Sequence, residues 1–216
     1  MLEKMGEFFD ARLSGYEEHQ LNGIDSAKEF YLFTAGCLPQ IPGTRLLDLG
    51  CGTGLELGYY YEMVPSAEVT GIDLAPGMLK ELRNKFPDKP MTLVLGSYFD
   101  VPFDENAYDA AVSVESLHHF TKEEKTPLYA KLQKALKPGG YFILTDYFAL
   151  SEEEEQFHRA ELLLLKKKQN ITDETFYHYD TPLTVGHEKE ALIDAGFSSV
   201  TILKNWGATH TLKAIR

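Results

Sequence analysis

The chain has 216 residues, 44% hydrophobic and 25% charged, a composition that excludes wholesale disorder and suits one domain with a large core. Lys and Arg number 21 against 33 Asp and Glu, so the net charge is −12 and a nucleic acid or an anionic membrane is a poor partner. The only cysteines, Cys37 and Cys51, make neither a disulfide framework nor a zinc site, so a reducing, cytoplasmic setting is the expectation.

In chain order, residues 1–40 suggest two helices, Leu2 to Leu13 and Ser26 to Leu38, joined by a turn-rich Ser14 to Gly23. The first ten residues mix Glu3, Lys4, Glu7 and Asp10 with apolar ones, unlike a secretory leader, and no stretch reaches the roughly 18 apolar residues of a membrane span. From residue 44 short apolar runs alternate with helical patterns, as in parallel strands joined by crossover helices. Strands are predicted at Arg45 to Leu49, Glu68 to Ile72, Thr92 to Leu95, Ala110 to Val114 and Tyr141 to Thr145. Helices are predicted at Leu55 to Met63, Gly77 to Lys85 and Pro127 to Leu136, the last with Thr126 as cap and Gly139-Gly140 as its end. Ser151 and Glu154 match a capping box opening a helix that ends in Lys166 to Lys168; that basic run reads as compensation of the helix dipole. A helix near His187 to Ala195 and two strands, Val200 to Leu203 and Thr209 to Ala214, complete the chain as an antiparallel pair closing one sheet edge.

The expected architecture is therefore α/β: a Rossmann-like, doubly wound, mostly parallel seven-stranded sheet with an antiparallel edge strand and an N-terminal helical lid. As one domain it divides into that lid (1–40), a ligand-binding core (44–148), a helical and aromatic insertion on the substrate side (149–184), and a C-terminal helix with the closing strand pair (185–216).

The most informative stretch is Leu46-Leu47-Asp48-Leu49-Gly50-Cys51-Gly52-Thr53-Gly54, an apolar strand running through alternate glycines into a helix. Such a turn brings bare backbone close to a ligand at the carboxyl end of a strand. The second strand ends in Asp73, 19 residues beyond Gly54, where a carboxylate can accept from both hydroxyls of a ribose. A dinucleotide fingerprint would need a third glycine at position 55, which is Leu, and no basic residue lies between Arg45 and Lys80. A cationic, phosphate-free nucleoside fits that stretch better, and S-adenosylmethionine is such a compound, with Asp48 available to its ammonium directly or through water.

At these residues the sequence resembles the class I S-adenosylmethionine-dependent methyltransferases of small-molecule type. The likeness extends to Thr70 to Leu79, Tyr108 to Phe120 and Leu136 to Tyr141, about half the chain in the family's order. It implies cofactor contacts from Asp48, Gly50, Cys51, Gly52, Thr53 and Gly54, from Asp73, Leu74 and Met78, from Gly96, Ser97 and Tyr98 at the adenine, and from Val114 and Glu115 near the methionine arm. Many members carry an acid where this chain has Ser97, which leaves the adenine contact to an uncharged hydroxyl or to the Tyr98 amide.

Methyl transfer is an in-line displacement that needs alignment and, for a protonated nucleophile, a base. The candidates are His119 ahead of His118, Glu115, and Tyr16 from the lid; Phe176-Tyr177-His178-Tyr179-Asp180 and Tyr147 would form another wall. No bound metal is expected, because the histidines show no ligand-type spacing. The expected partner is a small-molecule methyl acceptor bound by a monomer or homodimer. An Asn/Asp-Pro-Pro-aromatic motif is absent at Ser113 to Ser116, which speaks against a nucleic-acid acceptor. A nicotinamide-dependent oxidoreductase and a non-catalytic S-adenosylmethionine-binding module remain alternatives.

Overall fold

Short apolar runs bounded by Gly, Pro or Asp form strands because they can be covered on both faces, and a computed structural model describing residues 1–216 shows seven of them in one sheet. They are β1 (Arg45–Leu49), β2 (Glu68–Asp73), β3 (Met91–Leu95), β4 (Tyr108–Val114), β5 (Leu136–Tyr147), β6 (Ser199–Trp206) and β7 (Thr209–Ile215). The order across the sheet is β3-β2-β1-β4-β5-β7-β6. The first five strands are mutually parallel, and β7 alone runs against its neighbours. The C-terminal hairpin closes the sheet edge as expected, with the reversed strand one place in from the margin.

The helices are α1 (Met5–Gly23), α2 (Ala27–Cys37), α3 (Leu55–Met63), α4 (Pro76–Lys85), α5 (Lys122–Ala135), α6 (Glu152–Lys168) and α7 (Val185–Asp194). One apolar cluster joins α5 and α7 to the sheet, and a second joins α2, α3 and α4 to it. Between them β1, β2 and β4 are covered on both sides, which puts the strand order's reversal point, between β1 and β4, at the centre of the molecule.

Three expectations need correction. Ser14 to Gly23 is not a turn: α1 runs through Gly15 unbroken. One internal glycine costs a helix only about 1 kcal/mol, and α1 is held on both sides of it. Asp10 Oδ1 accepts from the Gly77 amide at 2.9 Å, and Glu17 Oε1 accepts from Lys85 Nζ at 2.7 Å. The helix before β5 starts at Lys122, not at Pro127. Thr121 Oγ1 accepts from the Glu124 amide at 3.4 Å while Glu124 Oε2 accepts from the Thr121 amide at 2.8 Å, a reciprocal cap that outcompetes Thr126. Gly139 and Gly140 do not end that helix; they lie inside β5, where a side chain at Gly140 would meet the carbonyl oxygens of Lys137 and Asp109 at 2.9 and 3.0 Å.

The cap of α6 forms as read, Ser151 Oγ accepting from the Glu154 amide, while the Glu154 carboxylate reaches back one residue further, to the Leu150 amide. No helix is long and apolar enough to cross a membrane.

Candidate active site

The loop between β1 and α3 is shaped by glycines in the left-handed region. Gly50 has φ +73°, and a Cβ there would sit 2.0 Å from Ser116 Oγ; at Gly52, φ +48°, the nearest neighbour of a Cβ is the Tyr16 hydroxyl at 3.4 Å. The bare backbone therefore opens towards α1, forming a cleft with Asp73, Leu74 and Met78 on one side, Tyr98, Glu115 and Ser116 on the other, and Met5, Phe9 and Tyr16 as its roof.

Asp73 closes the end of β2 with its carboxylate turned into the cleft. Oδ2 accepts from the Gly52 amide at 2.9 Å and Oδ1 from the Ala75 amide at 2.8 Å. Those two bonds use half of the four lone-pair directions of a carboxylate, leaving one on each oxygen for a diol. Burial pushes this carboxyl up, and the backbone amides oppose the rise. No Lys or Arg lines the cleft, and Glu115 Oε1 is buried there without a hydrogen-bond partner. The residues present thus fit a cationic nucleoside and give a phosphate nothing beyond backbone amides. The cleft's open space is only about 50 Å³, room for a few waters, so Phe9 and Tyr16 must move outward for a nucleoside to enter.

The remaining candidates fall into two groups. Asp48 is buried beneath the loop against Glu56, with Asp48 Oδ2 and Glu56 Oε1 both unpartnered. Burial and the Glu56 charge push the Asp48 carboxyl far up, and Asp48 is not on the cleft wall. Cys51, Thr53 and Val114 are likewise buried behind the wall, and Gly54 packs under Leu82. Gly96 donates to the Asp73 carbonyl and keeps β2 and β3 in step. Ser97 lies just outside the cleft beside Met5 and Leu74, its hydroxyl accepting from the Phe99 amide.

Beyond Glu115 the cleft meets a cavity of about 780 Å³. Four residues border both spaces: Phe9, Tyr16, Glu115 and His119. Glu115 follows β4 with φ +50°, a strained conformation for a side-chain-bearing residue, which turns its carboxyl to the boundary. Desolvation and the nearby Asp146 charge raise it to about 8. Tyr16 is held protonated well past neutrality by burial and the surrounding acids.

On the far side, His118 and His119 form a one-turn 3-10 helix. His118 Nδ1 lies 2.6 Å from Asp146 Oδ1, and Asp146 also accepts from the Leu117 and Tyr147 amides. Burial lowers the His118 pKa, but Asp146 and Asp180 outweigh it and bring it to about 9. His119 moves the other way, down, because burial and the charge on His118 dominate. Its Nδ1 lies 3.1 Å from Asp180 Oδ1.

The 176–180 segment reaches this site because it pairs with the N-terminus: the Met5 amide donates to Phe176 O, and the His178 amide to Glu3 O, each at 2.9 Å. His178 stacks on Phe8 with ring centroids 3.5 Å apart, and burial lowers it to about 4. Sequence reasoning missed Phe9, Met5, Ser116 and Asp146. Only Asp146 had a signal, a carboxylate near the carboxyl end of a core strand.

A methyltransferase-domain family model matches residues 47–144. The chain is 30% identical over 145 residues to the demethylmenaquinone methyltransferase of Symbiobacterium thermophilum, covering 63% of this chain and 56% of that protein. It is 28% identical over 166 residues to the fatty-acid O-methyltransferase of Mycolicibacterium smegmatis, covering 71% and 60% respectively. Over residues 47–144 this chain is therefore similar to methyltransferase domains.

Solved methyltransferases agree on the fold. The S-adenosylmethionine-dependent enzyme from Mesorhizobium loti superposes with a TM-score of 0.63 at 22% identity, covering 91% of this chain and all of that one. Phosphoethanolamine N-methyltransferase 2 of Haemonchus contortus, in complex with S-adenosyl-L-methionine, gives 0.68 at 20% identity over 92% of this chain and 44% of that one. The chain spans little more than half the length of the curated relatives described above.

Proposed function

We propose that this chain is an S-adenosylmethionine-dependent methyltransferase that acts on a small-molecule acceptor held in the 780 Å³ cavity. The observation that carries the reading is the shared wall: Phe9, Tyr16, Glu115 and His119 border both the nucleoside cleft and the cavity, so the two ligands would meet there. When bound, S-adenosylmethionine supplies an electrophilic methyl on a sulfonium, to be displaced in line by the acceptor's nucleophile.

The chain's residues divide the remaining work. Asp73 offers one free lone pair per oxygen to a ribose, while Leu74 and Met78 give apolar contact beside it. Glu115, kept protonated near neutrality by burial, and the Tyr16 phenol are donors at the boundary rather than bases. His119, kept neutral by burial and by the charge on His118, has a ring nitrogen to take the acceptor's proton. Phe8, Phe9 and Tyr147 provide aromatic surface and Arg12 a cation in the cavity wall, a mixture suited to an organic molecule with polar substituents. The relatives' names, a quinone-pathway enzyme and a fatty-acid enzyme, support the same size class.

The test is to incubate the protein with S-adenosylmethionine and fractionated small-molecule extracts, following S-adenosylhomocysteine by mass spectrometry. Acceptor-dependent formation of that product supports the reading. Tight cofactor binding with no product in any fraction would make the chain a non-catalytic binding module.

A further inference from the structure

Adjacent histidines cannot by themselves enclose a cation, but the fold brings them a third group from far along the chain. Asp180 Oδ1 lies 3.1 Å from His119 Nδ1 and 3.6 Å from His118 Nε2, and all three atoms lie within 4.8 Å of one another. Ligands bound at about 2.0–2.2 Å to one tetrahedral zinc stand roughly 3.3 Å apart, so two of the three spacings already match.

The hydrogen-bond pattern points the same way. With His118 Nδ1 against Asp146 Oδ1, the other ring nitrogen, Nε2, faces Asp180 Oδ1, where a metal ion would take the place of the ring proton. A carboxylate on the outer nitrogen of a ligating imidazole is also the usual means of fixing its orientation, and Asp146 is itself fixed by two backbone amides.

We propose that His118 Nε2, His119 Nδ1 and Asp180 Oδ1 bind one divalent transition-metal ion of the zinc class, with a fourth coordination position open to the 780 Å³ cavity. Three protein ligands and an open position form the pattern of a site that receives a substrate atom. In the loaded protein His119 is a ligand and not the proton acceptor, and the acceptor molecule's own oxygen or nitrogen occupies the fourth position. Occupancy does not require the cofactor, so the inference stands apart from methyl transfer.

The test uses the full chain, freed of metal with a chelator and titrated with Zn²⁺ by calorimetry and with Co²⁺ by visible absorption. One equivalent of each should bind, and Co²⁺ should give the intense bands of a four-coordinate ion. Asp180→Asn and His119→Ala should each weaken binding at least about tenfold, and Asp146→Asn by about 10–100-fold. Unchanged S-adenosylhomocysteine binding by Asp180→Asn would show that its fold is intact. No stoichiometric binding, or equal binding by wild type and variants as surface histidines would give, overturns the site and leaves His119 as the base. Methyl transfer is judged separately, by acceptor-dependent product.

Discussion

A single carboxylate, Asp73, is placed to set how tightly the cleft would hold a nucleoside. Asp73→Ala removes a charged acceptor from the diol and a partner from the Gly52 amide, and a hydrogen bond to a charged group contributes about 1.5–3 kcal/mol. S-adenosylhomocysteine affinity by calorimetry should fall by that amount; unchanged affinity would remove Asp73 from the site. His119→Ala should act differently, lowering turnover far more than cofactor affinity, because its ring stands at the boundary of the two spaces and not under the ribose. Equal turnover in the two proteins would show that no group at position 119 is needed. Asp73 was legible from the sequence because spacing along two adjacent strands fixes its place. Asp146 carried only the signal of a carboxylate near the end of a core strand, since its role depends on a histidine from another strand's loop.

At the scale of elements, α1 is placed to control access. Its Phe9 and Tyr16 cover a cleft with about 50 Å³ of free space, and it is fastened to α4 through Asp10 and Glu17. Asp10→Ala with Glu17→Ala should therefore quicken cofactor association in stopped-flow fluorescence while leaving the cleft floor intact; an unchanged rate would mean that α1 does not gate entry. This helix shows where local reading fails. Gly15 and Ser14 look like a turn, but tertiary contacts on either side keep the helix going. The strand-loop-helix core is the reverse case, because its glycines and apolar runs state the same structure at every level. A second element-scale prediction concerns α5 and α7, joined by Lys125 and Glu188, 2.5 Å apart with both side chains 1% exposed, and by the Tyr129 hydroxyl on the same carboxylate. Lys125→Met leaves Glu188 buried and uncompensated and should cost about 3–5 kcal/mol in urea unfolding, whereas Lys125→Met with Glu188→Leu should recover most of it.

For the whole molecule, one pair of its acids is buried at the centre, where Asp48 of β1 and Glu56 of α3 face each other beneath the glycine loop without a salt-bridge partner. Desolvation raises both carboxyls in the folded chain; the Glu56 charge pushes Asp48 up further, whereas Asp48, the backbone and Lys85 hold Glu56 lower. The sign of the pH effect follows. Above the ordinary carboxylate range the unfolded chain has released these protons, while the folded chain still holds at least one. The unfolded state then binds fewer protons, so stability declines as pH rises through that window. Asp48→Asn keeps the shape and removes the titration that gives the decline. Without cofactor, the variant's unfolding free energy should gain on the wild type's between pH 5 and pH 8, with the two converging towards pH 4. Parallel pH profiles in urea melts would show that the pair is ionised and compensated in the folded chain, and that the ground beneath the cofactor loop is less strained electrostatically than its unpartnered oxygens imply.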